Sequence, residues 1–562
     1  MKMRWAEFHH SIRIRTSRTR WTLPQILGRM LGINTRRYAV ARFFGRPLLR
    51  MVRVLRGQNP NVAPRAPAPV VPVVTNFFPL NYRPVDLAPV KDPTQLEHIF
   101  NSVEMVATDE MGESPLTLLA TLNEILATTT ARWLFLYDIG TTKEESVKVV
   151  SALLQHALDI HDVIFADEEG PRSGFPILKS PAVGPHTLLS YNLVGRPTLV
   201  RVTALRSVGG FSLEGGWAFE HDAYLRLSEA GAQFHHVPLV VATGRPTIAF
   251  DPAHVDTDSC RVVQAALDRR GWSGTVTTGS LPGLVRWHLD APAVLPSIDI
   301  IIPTRDRLDL VLRCIESIEN QTTYANYDLI ILDNDSKEPD TLAYFASTKY
   351  RVVPCPGPFN YAHIVNRGVR HSTADFIVTL NNDTILITPD WLERMVALAS
   401  LPDVGIVGGC LIDQDGRFEH ESIVISPYPQ HLRSDSNYPH QDHFVFSTRD
   451  VAAVTGAVQM VKRDFWNALG GMDEELKVVM NDVDICLRSQ LEGRYVVYTP
   501  DVKLYHHVSS SRGTLDPLED RNLFIRRWDI FGSFQDPYFP QSILLLGEQV
   551  FFRYRDPKAK GK

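Results

Sequence analysis

The chain has few of the residues and segments that define several protein classes. Its 562 residues include only five cysteines, an odd number with no CxxC pair, so neither a disulfide framework nor a zinc site is indicated. No stretch reaches the roughly 18 uninterrupted apolar residues of a spanning helix, and no signal core opens the chain. These absences predict a cytoplasmic protein, soluble or peripheral on the inner face of the cytoplasmic membrane.

Acidic residues are nearly missing from the N-terminus. Residues 1–56 contain fourteen Lys and Arg but one acid, Glu7, and apolar residues lie between the basic ones. A helix on an anionic membrane surface has this pattern, and there each cation contributes about 1 kcal/mol. A solvated tail and a contact with a partner protein are the alternatives. Nucleic acid is not expected, because no recognised nucleic-acid module accompanies the basic residues.

Composition and pattern divide the chain into segments. Pro and Ala with little charge indicate a semi-rigid linker after the basic stretch, and two regions alternate strand-like and helix-like segments. We predict a basic amphipathic segment at 1–56, a linker at 57–90, a first α/β domain at 91–270, a connector at 271–295, a second α/β domain at 296–540 and a tail at 541–562.

Three apolar runs in the second domain each end at a polar, acidic cluster. They are IDIIIPTRD at 298–306, LIILDNDS at 329–336 and FIVTLNNDT at 376–384. Short runs rich in Ile, Leu and Val predict buried parallel strands of an α/β sheet. Open α/β sheets bind ligands at the carboxyl ends of their strands. We therefore expect one crevice to collect Asp306, Asp333, Asp335 and Asp383.

The two domains resemble each other in sequence, which indicates an internal repeat. Residues 208–231 parallel residues 469–493, since each stretch has a Gly-Gly pair, an acidic part and an acid that opens a helix. Residues 134–142 likewise take the place of residues 377–385. The first domain is therefore expected to be a copy of the second.

The copies differ in the loop that carries acids. The second has Asn381, Asn382 and Asp383 where the first has Asp138, Ile139 and Gly140. A copy that lost its ligand-binding loop is expected to dock the acceptor or to support the other domain. Two active sites in one chain are the alternative, because the first domain keeps further acids at Asp167, Glu168, Glu220 and Asp222.

Eight segments of the second domain resemble, in order, the motifs of inverting family 2 glycosyltransferases with the GT-A fold. They are IIPTRDR at 301–307, LDNDS at 332–336, FNYAHIVNRGV at 359–369, LNNDTILITPDWLERM at 380–395, VGIVGGCLIDQDGRFEHESIVI at 404–425, VTGAVQMVKRDFW at 454–466, NDVDICLR at 481–488 and YHHVSSSRG at 505–513. The set is most similar to bacterial enzymes that add rhamnose or related sugars to surface polysaccharides.

The resemblance implies a Rossmann-like GT-A domain with a mostly parallel sheet, preceded by a degenerate GT-A-like domain. It also implies a nucleotide-diphosphate sugar donor with a uracil, thymine or guanine base, and a divalent cation, Mg²⁺ or Mn²⁺. The acceptor would be a glycan, which we expect to be lipid-linked. Transfer would invert the configuration of the sugar.

Polar groups at the strand ends suit the nucleoside part of such a donor. Asp333 and Asp335 can accept hydrogen bonds from the base imide and the ribose hydroxyls. Asp-Asn-Asp-Ser is also good turn chemistry, and the two interpretations are compatible. The neighbouring candidates for donor binding are Pro303, Thr304, Arg305 and Asn382.

Asp383 fills the last position of the family's DxD-like element, and Asn381 replaces its first acid. A hard cation prefers oxygen ligands and keeps places for phosphate oxygens, so one carboxylate is adequate. The resemblance places His506 in the metal site or against the diphosphate. Neighbours on a strand point to opposite faces, so only one of His506 and His507 reaches the site. Arg512 would meet the diphosphate charge.

A positioned carboxylate must take the proton of the acceptor hydroxyl. Asp482 matches the acid of the family's ED motif, here preceded by Asn481 instead of Glu, and is the predicted general base. Asp484 lies four residues before Arg488, so an exposed ion pair on one helix is predicted there.

Two further protein classes remain as alternatives. A nucleotidyltransferase would share the sheet, but it needs a Gly-rich, Lys-bearing loop after the first strand, which PTRDRLD lacks. A non-catalytic glycan-binding or scaffold protein would result if both domains had lost their sites.

Overall fold

The structure is a computed structural model that describes most of the chain beyond residue 100. The described residues are 94, 101–107, 114–137, 143–169, 176–241, 252–433, 443, 446–507, 517–541, 543–546 and 549–552. The predicted basic segment, the linker, the 138–140 loop and Arg512 lie outside them. Neither the membrane prediction nor the role of Arg512 is therefore tested.

The chain divides into two compact units, one of residues 74–524 and 535–562, the other of residues 1–73 and 525–534. All strands among the described residues belong to the larger unit. In the smaller unit, residues 525–534 end a helix and form a turn. There the Asp529 carboxylate accepts hydrogen bonds from the backbone N–H and the hydroxyl of Ser533.

In the described part of the N-terminal sheet region there are six strands and, from Pro115 onward, five α-helices. The strands are β1 Val103–Ala107, β2 Trp133–Tyr137, β3 Val163–Glu169, β4 Pro176–Ile177, β5 Thr198–Arg201 and β6 Phe234–Val241. The helices are α1 Pro115–Thr128, α2 Lys143–Leu154, α3 Pro185–Ser190, α4 Val202–Ser207 and α5 Phe219–Glu229, with a 3₁₀ turn at Leu213–Ala218. The strand order is β1-β2-β5-β3-β4, and β6 also pairs with β3.

A helix and a hairpin connect this region to the next. They are α6 Pro252–Arg269 and the antiparallel strands β7 Gly274–Thr278 and β8 Val285–Leu289.

The C-terminal sheet region is built around a ten-stranded sheet. Its strands are β9 Ile298–Thr304, β10 Tyr327–Asp333, β11 Arg351–Pro354, β12 Phe376–Leu380, β13 Thr384–Leu386, β14 Val404–Ile412, β15 Phe418–His420, β18 Arg449–Asp450, β19 Val458–Lys462 and β20 Tyr495–His506. Two hairpins accompany it, β16 Ile423–Ile425 with β17 Pro429–His431, and β21 Ile543–Leu546 with β22 Gln549–Phe552. The helices are α7 Leu308–Gln321, α8 Pro339–Ser347, α9 Tyr361–Arg370, α10 Trp391–Ala399, α11 Arg463–Ala468, α12 Asn481–Leu491 and α13 Leu518–Arg527.

The α/β fold class is confirmed, as is the parallel arrangement of the three apolar runs. Strands β10, β9 and β12 are adjacent and parallel, and β11 extends the parallel part beyond β10. Strand β19 then runs antiparallel between β12 and β14, so the sheet as a whole is mixed. Every residue of β12 is buried, which explains its uninterrupted apolar pattern.

The two sheet regions share one strand order. The order β1-β2-β5-β3-β6 repeats β9-β12-β19-β14-β20, with the same parallel or antiparallel sense at each pairing. Both copies of the β3 and β6 pairing also contain an irregularity in register. Within its described part, the N-terminal region has no counterparts of β10 and β11.

The two regions share one hydrophobic core. A single cluster of buried side chains contains Leu188 from α3, Trp287 from β8, Ile300 from β9 and Met395 from α10. All five cysteines lie in the described part of the chain, and none is paired in a disulfide. Among the described residues, no helix is both long and apolar enough to cross a membrane.

Candidate active site

The loops after β9 and β10 are held together by hydrogen bonds. In register, Thr304 pairs with Asp333, and the backbone N–H of Asn334 donates to the Thr304 carbonyl over 2.9 Å. The Asp306 carboxylate accepts from the N–H groups of Lys337 and Glu338. Burial alone would raise the pKa of Asp306, but these backbone donors lower it below its usual value.

Three residues in these loops adopt a left-handed backbone that non-glycine residues rarely use. Asp306, Arg307 and Asp335 have φ angles of 51°, 52° and 59°. Such conformations persist only where the surrounding structure imposes them, and they cluster at ligand-binding sites. The edge of the sheet is thus shaped at some cost in backbone energy.

The two predicted nucleoside acids are half-buried and also make the turn bonds expected of them. Asp333 accepts from the N–H of Ser336 over 2.9 Å, and Asp335 accepts from the N–H of Gly357 over 2.9 Å. Pro303 is partly exposed and Arg305 is exposed on the same strand end. Both carboxylates are therefore oriented at the ligand edge by backbone donors.

The loop after β12 joins this edge. Asn382 donates from its side-chain amide to the Thr304 hydroxyl over 2.9 Å, and both side chains are buried. The N–H of Asn381 donates to the carbonyl of Ala457, just before β19. Asp383 is only 4% exposed. The predicted metal ligand thus sits in a buried loop anchored on both sides.

His506 reaches Asp383 across the sheet. His506 is the last residue of β20 and pairs in the strand register with Thr384 of β13. Its Nε2 lies 3.3 Å from Oδ1 of Asp383. Its Nδ1 lies 2.9 Å from Oε2 of Glu419. Burial alone would lower the pKa of His506, but the hydrogen bonds and charges of the two carboxylates raise it to about 9. His507 turns away and contacts Gln414.

Glu419 was not among the predicted site residues. It lies on β15, a three-residue strand that pairs antiparallel with the end of β14, and its side chain is 14% exposed. The polar run FEHES after the buried β14 is the signal that could have drawn attention to it. Its contact with His506 depends on a strand pairing that the sequence does not reveal.

The residues around Asp383 suit a cation whose other ligands are water and phosphate oxygens. In the described ranges, no group of three or more His, Cys, Asp or Glu side chains is arranged to hold a metal ion. Asp383 supplies one carboxylate, which suits a hard cation that keeps places for water and phosphate oxygens. His506 would have to lose its proton to become a ligand.

Asp482 lies at the start of α12 and is partly buried. Its Oδ2 accepts from the N–H of Gly456 over 3.0 Å. The Gly456 carbonyl accepts from the hydroxyls of Thr379 and Tyr361, each over 2.9 Å. A Cβ at Gly456 would lie 3.4 Å from Cβ of Asp482, an ordinary van der Waals contact, so the two residues are close neighbours.

The candidate residues are joined by neighbouring contacts across the sheet. Asp333 adjoins Thr304, which bonds Asn382, and the Asn381 N–H bonds Ala457 beside the Gly456 that holds Asp482. The structure thus brings the acids at 333, 383 and 482 to one edge of one sheet.

Asp484 forms the predicted ion pair with Arg488, but the pair is not exposed. The two groups are 2.8 Å apart, and the Asp484 side chain is fully buried. Arg488 also donates to the carbonyls of Leu469 and Gly471. The face of α12 that carries Asp484 packs into the region, so this pair holds the Gly-Gly turn.

Two histidines, the buried His420 and the solvent-exposed His431, lie near Asp482. The surrounding protein lowers the pKa of His431, and the charge of Asp482 opposes that shift. His420 lies beside it, with 3.3 Å between the two Nδ1 atoms, and burial lowers its pKa well below the usual value. Nε2 of His420 accepts from the N–H of Thr455, so the neutral imidazole supports the Gly456 segment.

The corresponding acids of the N-terminal region are occupied by basic partners. Glu220, at the place of Asp482, bonds Arg196 over 2.8 Å, and each side chain is 14% exposed. Asp222 pairs with Arg226 four residues on. The remaining two acids have partners as well. Asp167 contacts His236 and the N–H of Lys179, and Glu168 lies 3.4 Å from the Lys179 ammonium.

Residues 299–465 match the family model described as Glycosyl transferase family 2. This part of the chain is therefore similar to family 2 glycosyltransferases, and the resemblance inferred from its motifs is confirmed. The match covers the ends of β9 and β10 with Thr304 and Asp333, and the loop that carries Asp383, and it ends before α12.

Curated relatives support this assignment. The chain is 34% identical over 386 residues to the uncharacterized protein y4gI of Sinorhizobium fredii, covering 64% of this chain and 42% of that one. It is 30% identical over 401 residues to the O-antigen biosynthesis protein RfbC of Myxococcus xanthus, covering 67% and 31%. It is 24% identical over 212 residues to the N-acetylglucosaminyl-diphospho-decaprenol L-rhamnosyltransferase of Mycobacterium tuberculosis, covering 33% and 68%. The chain spans less than half the length of the first two.

Proposed function

We propose that the protein is an inverting glycosyltransferase that moves a sugar from a nucleotide-diphosphate sugar to a glycan acceptor. The observation that carries this is the row of contacts from Asp333 through Thr304 and Asn382 to Gly456 and Asp482. These contacts support the proposal, because the candidate nucleoside acids, the loop of Asp383 and the candidate base lie in neighbouring segments.

The nucleoside end of the donor would bind Asp333 and Asp335. Backbone donors already orient both carboxylates, so little side-chain freedom is lost on binding. Pro303, Thr304 and Arg305 would line the same end, and Arg512 would meet the diphosphate. Carboxylates accept from the imide N–H of uracil or thymine and from that of guanine, so the base stays open.

Asp383 would hold a divalent cation, Mg²⁺ or Mn²⁺, and His506 would join it after losing its proton. When bound, the cation would act as a Lewis acid on the departing diphosphate. The buried position of Asp383 strengthens its attraction for a positive charge, because the local dielectric is low.

Asp482 would accept the proton of the acceptor hydroxyl as that oxygen attacks the anomeric carbon. The bond from carbon to diphosphate oxygen breaks in the same displacement, so the configuration inverts. A positioned carboxylate contributes about 100-fold to 10,000-fold to such a step. The N–H groups of Gly456 and Val483 hold the two carboxylate oxygens of Asp482, so backbone donors orient the proposed base.

The acceptor would be a lipid-linked glycan of a bacterial surface polysaccharide. The names of two relatives support this, since one is an O-antigen biosynthesis protein and the other acts on a diphospho-decaprenol sugar. A peripheral position on the inner face of the cytoplasmic membrane, through residues 1–56, would bring the enzyme to such a substrate.

We also propose that residues 91–270 form a degenerate GT-A-like domain. The shared strand order supports this, and the pairing of Glu220 with Arg196 counts against a second active site. A carboxylate bonded to a guanidinium is a poor base, because its charge is stabilised before any proton arrives.

Donor turnover tests the proposed function. The purified chain with Mn²⁺ and a panel of nucleotide sugars should slowly release a nucleoside diphosphate from one of them. Asp383→Ala should lose metal-dependent donor binding, whereas Asp482→Asn should keep binding and lose turnover. If no donor is bound or hydrolysed, the scaffold alternative replaces the enzyme.

A further inference from the structure

The carboxylate of Asp450, on the two-residue strand β18, is held by hydrogen bonds from the N-terminal sheet region. Its Oδ2 accepts from the N–H groups of His186 and Thr187, each over 3.0 Å, and from the Thr187 hydroxyl over 3.2 Å. Its Oδ1 lies 2.7 Å from Nδ1 of His186. The carboxylate is 1% exposed, so these bonds are not shared with solvent.

Thr187 makes the contact reciprocal. Its hydroxyl oxygen accepts from the N–H of Asp450 over 2.9 Å while its O–H donates to the same residue's carboxylate. A Cβ at Gly184, just before α3, would lie 2.1 Å from Oδ2 of Asp450, so the approach requires glycine there. The Ser190 hydroxyl donates to the Thr448 carbonyl over 2.6 Å at the other end of α3.

The chain that follows Asp450 leads directly to the candidate base. Residues 451–457 are all buried. The Ala452 carbonyl accepts from the Gln490 side chain over 2.7 Å, and the Ala453 carbonyl accepts from the N–H of Ile423 over 2.7 Å. The segment ends where the N–H of Gly456 donates to Asp482. Its backbone is therefore fixed at several points between the N-terminal region and the base.

Packing leaves the segment little room to shift. A Cβ at Gly408 would lie 2.4 Å from Cβ of Val454, so Val454 sits directly against the backbone of β14. Close-packed interiors transmit a displacement instead of absorbing it. A loss of the Asp450 contact would thus displace Gly456, which lies six residues further along the chain.

We propose that Thr187 and Asp450 are positioning residues through which the N-terminal sheet region orients the catalytic base Asp482. This rests on the proposed function, and it assigns the first region a definite task within it. The nucleoside acids take their orienting bonds from Ser336 and Gly357, which lie outside this path. The contact should therefore affect the chemical step more than donor binding.

The test removes the hydroxyl of Thr187, which belongs to the N-terminal sheet region, and changes no residue of the C-terminal region. Thr187→Val keeps the shape of the side chain and removes both hydroxyl bonds, whereas Thr187→Ser keeps the hydroxyl. We expect Thr187→Val to lower kcat about tenfold, since small misplacements of a catalytic group cost up to about 100-fold. The KM for the donor should stay within about twofold. Thr187→Ser should restore most of kcat.

A matched control uses a polar contact between the C-terminal region and the connecting hairpin. Asp501, 8% exposed, bonds Arg286 and His288 of the connecting hairpin and does not lead to Gly456. Asp501→Asn should leave kcat near that of the native chain even if the melting temperature falls. An equal loss of kcat in Asp501→Asn and Thr187→Val would overturn the proposal, because any loosening would then suffice.

A readout without turnover separates this inference from the proposed function. Hydrogen exchange of the peptide spanning 451–457 should be faster in Thr187→Val and unchanged in Thr187→Ser. A native chain that turns over no donor, with the exchange change present, contradicts the proposed function alone. A Thr187→Val chain with native kcat and native exchange contradicts the positioning role.

Discussion

The two sheet regions keep the same framework and differ in what they offer a ligand. Asn123 on α1 and Asn366 on α9 each lie ten residues before the next strand begins. Each side chain both donates to and accepts from the backbone of the residue after a Gly-Gly pair, Phe211 or Met472. This pair of hydrogen bonds between the helix and the turn is present in both copies.

The Gly-Gly pairs and the ion pair beside them are also shared. All four glycines have φ angles between 73° and 86°, which side chains with a Cβ rarely adopt. Asp222 with Arg226 in one copy corresponds to Asp484 with Arg488 in the other. Groups that hold the backbone have been kept, because each has partners whose loss would cost stability.

The ligand edge is where the regions diverge. Among the described residues, the N-terminal region has no strand in the place of β10, which carries Asp333. The position of Asp482 holds Glu220, bonded to Arg196. The comparison teaches that folding and chemistry rest on separable sets of residues in this architecture.

The largest effect should come from replacing the carboxylate of the proposed base, Asp482, by an amide. The same replacement at Glu220, the corresponding position of the N-terminal region, is the comparison. Asp482→Asn keeps an oxygen for the Gly456 N–H but cannot take a proton, so kcat should fall about 100-fold to 10,000-fold. Glu220→Gln, its counterpart, should change kcat less than about twofold. Steady-state kinetics of both variants decide the point. A large loss in Glu220→Gln would revive the idea of two active sites.

The next effect concerns donor affinity. Asp383→Ala removes the buried carboxylate, so the affinity for the donor with Mn²⁺ should fall at least about tenfold, the equivalent of about 1.4 kcal/mol. Chelation of the metal should weaken the native chain similarly and leave the variant unchanged. Glu168→Gln, an acid at the end of β3, should bind the donor normally. Calorimetric titration measures all three.

Stability should respond alike in both regions when the shared asparagines are removed. Asn123→Ala and Asn366→Ala each leave a backbone N–H and carbonyl without their partner, which costs about 1–3 kcal/mol. Only Asn366 also bonds Glu474, in the stretch that precedes Asp482. Denaturant unfolding should show similar losses, with kcat reduced only in Asn366→Ala. Unequal losses of stability would mean that the repeat is not equivalent at these sites.

The last prediction is a pH dependence of stability to which the N-terminal region contributes. His221 is buried where the other copy has Val483, and burial lowers its pKa to about 4. In the unfolded chain His221 binds a proton below about pH 6.5, whereas in the folded chain it stays neutral down to about pH 4. Stability is therefore full above pH 6.5 and falls as the pH drops towards 4, by up to about 3 kcal/mol.

His221→Val tests this directly. The valine removes the titrating group and leaves the Leu188 carbonyl without its hydrogen bond, so stability at pH 7 should fall by about 1–3 kcal/mol. The slope of stability between pH 6.5 and 4 should become shallower. An unchanged slope would assign the acid sensitivity to other groups.

Strand identity and the ligand edge could be predicted because burial leaves a direct mark on the sequence. Runs such as IDIII and FIVTL are apolar at every position, and their acids follow at once. Strand direction leaves no such mark, which is why the antiparallel β19 was not expected. The buried state of Asp484 was missed for a similar reason, since i to i+4 spacing shows the pair and not its surroundings.

Contacts between segments that are distant along the chain could not be predicted from the sequence. Glu419 and His506 lie 87 residues apart, and Asp450 and Thr187 lie 263 apart. Each meeting depends on the pairing of a strand of only two or three residues, too short to show a pattern. The importance of such residues comes from where the completed fold places them.

The common hydrophobic core has a practical meaning for recombination. Leu188 and Trp287 pack in the same cluster as Ile300 and Met395, so the C-terminal region cannot be cut out without stripping apolar surface. Chimeras between relatives should exchange the two regions together, or should match both sides of the boundary. The two regions are thus expected to be inherited together as one unit.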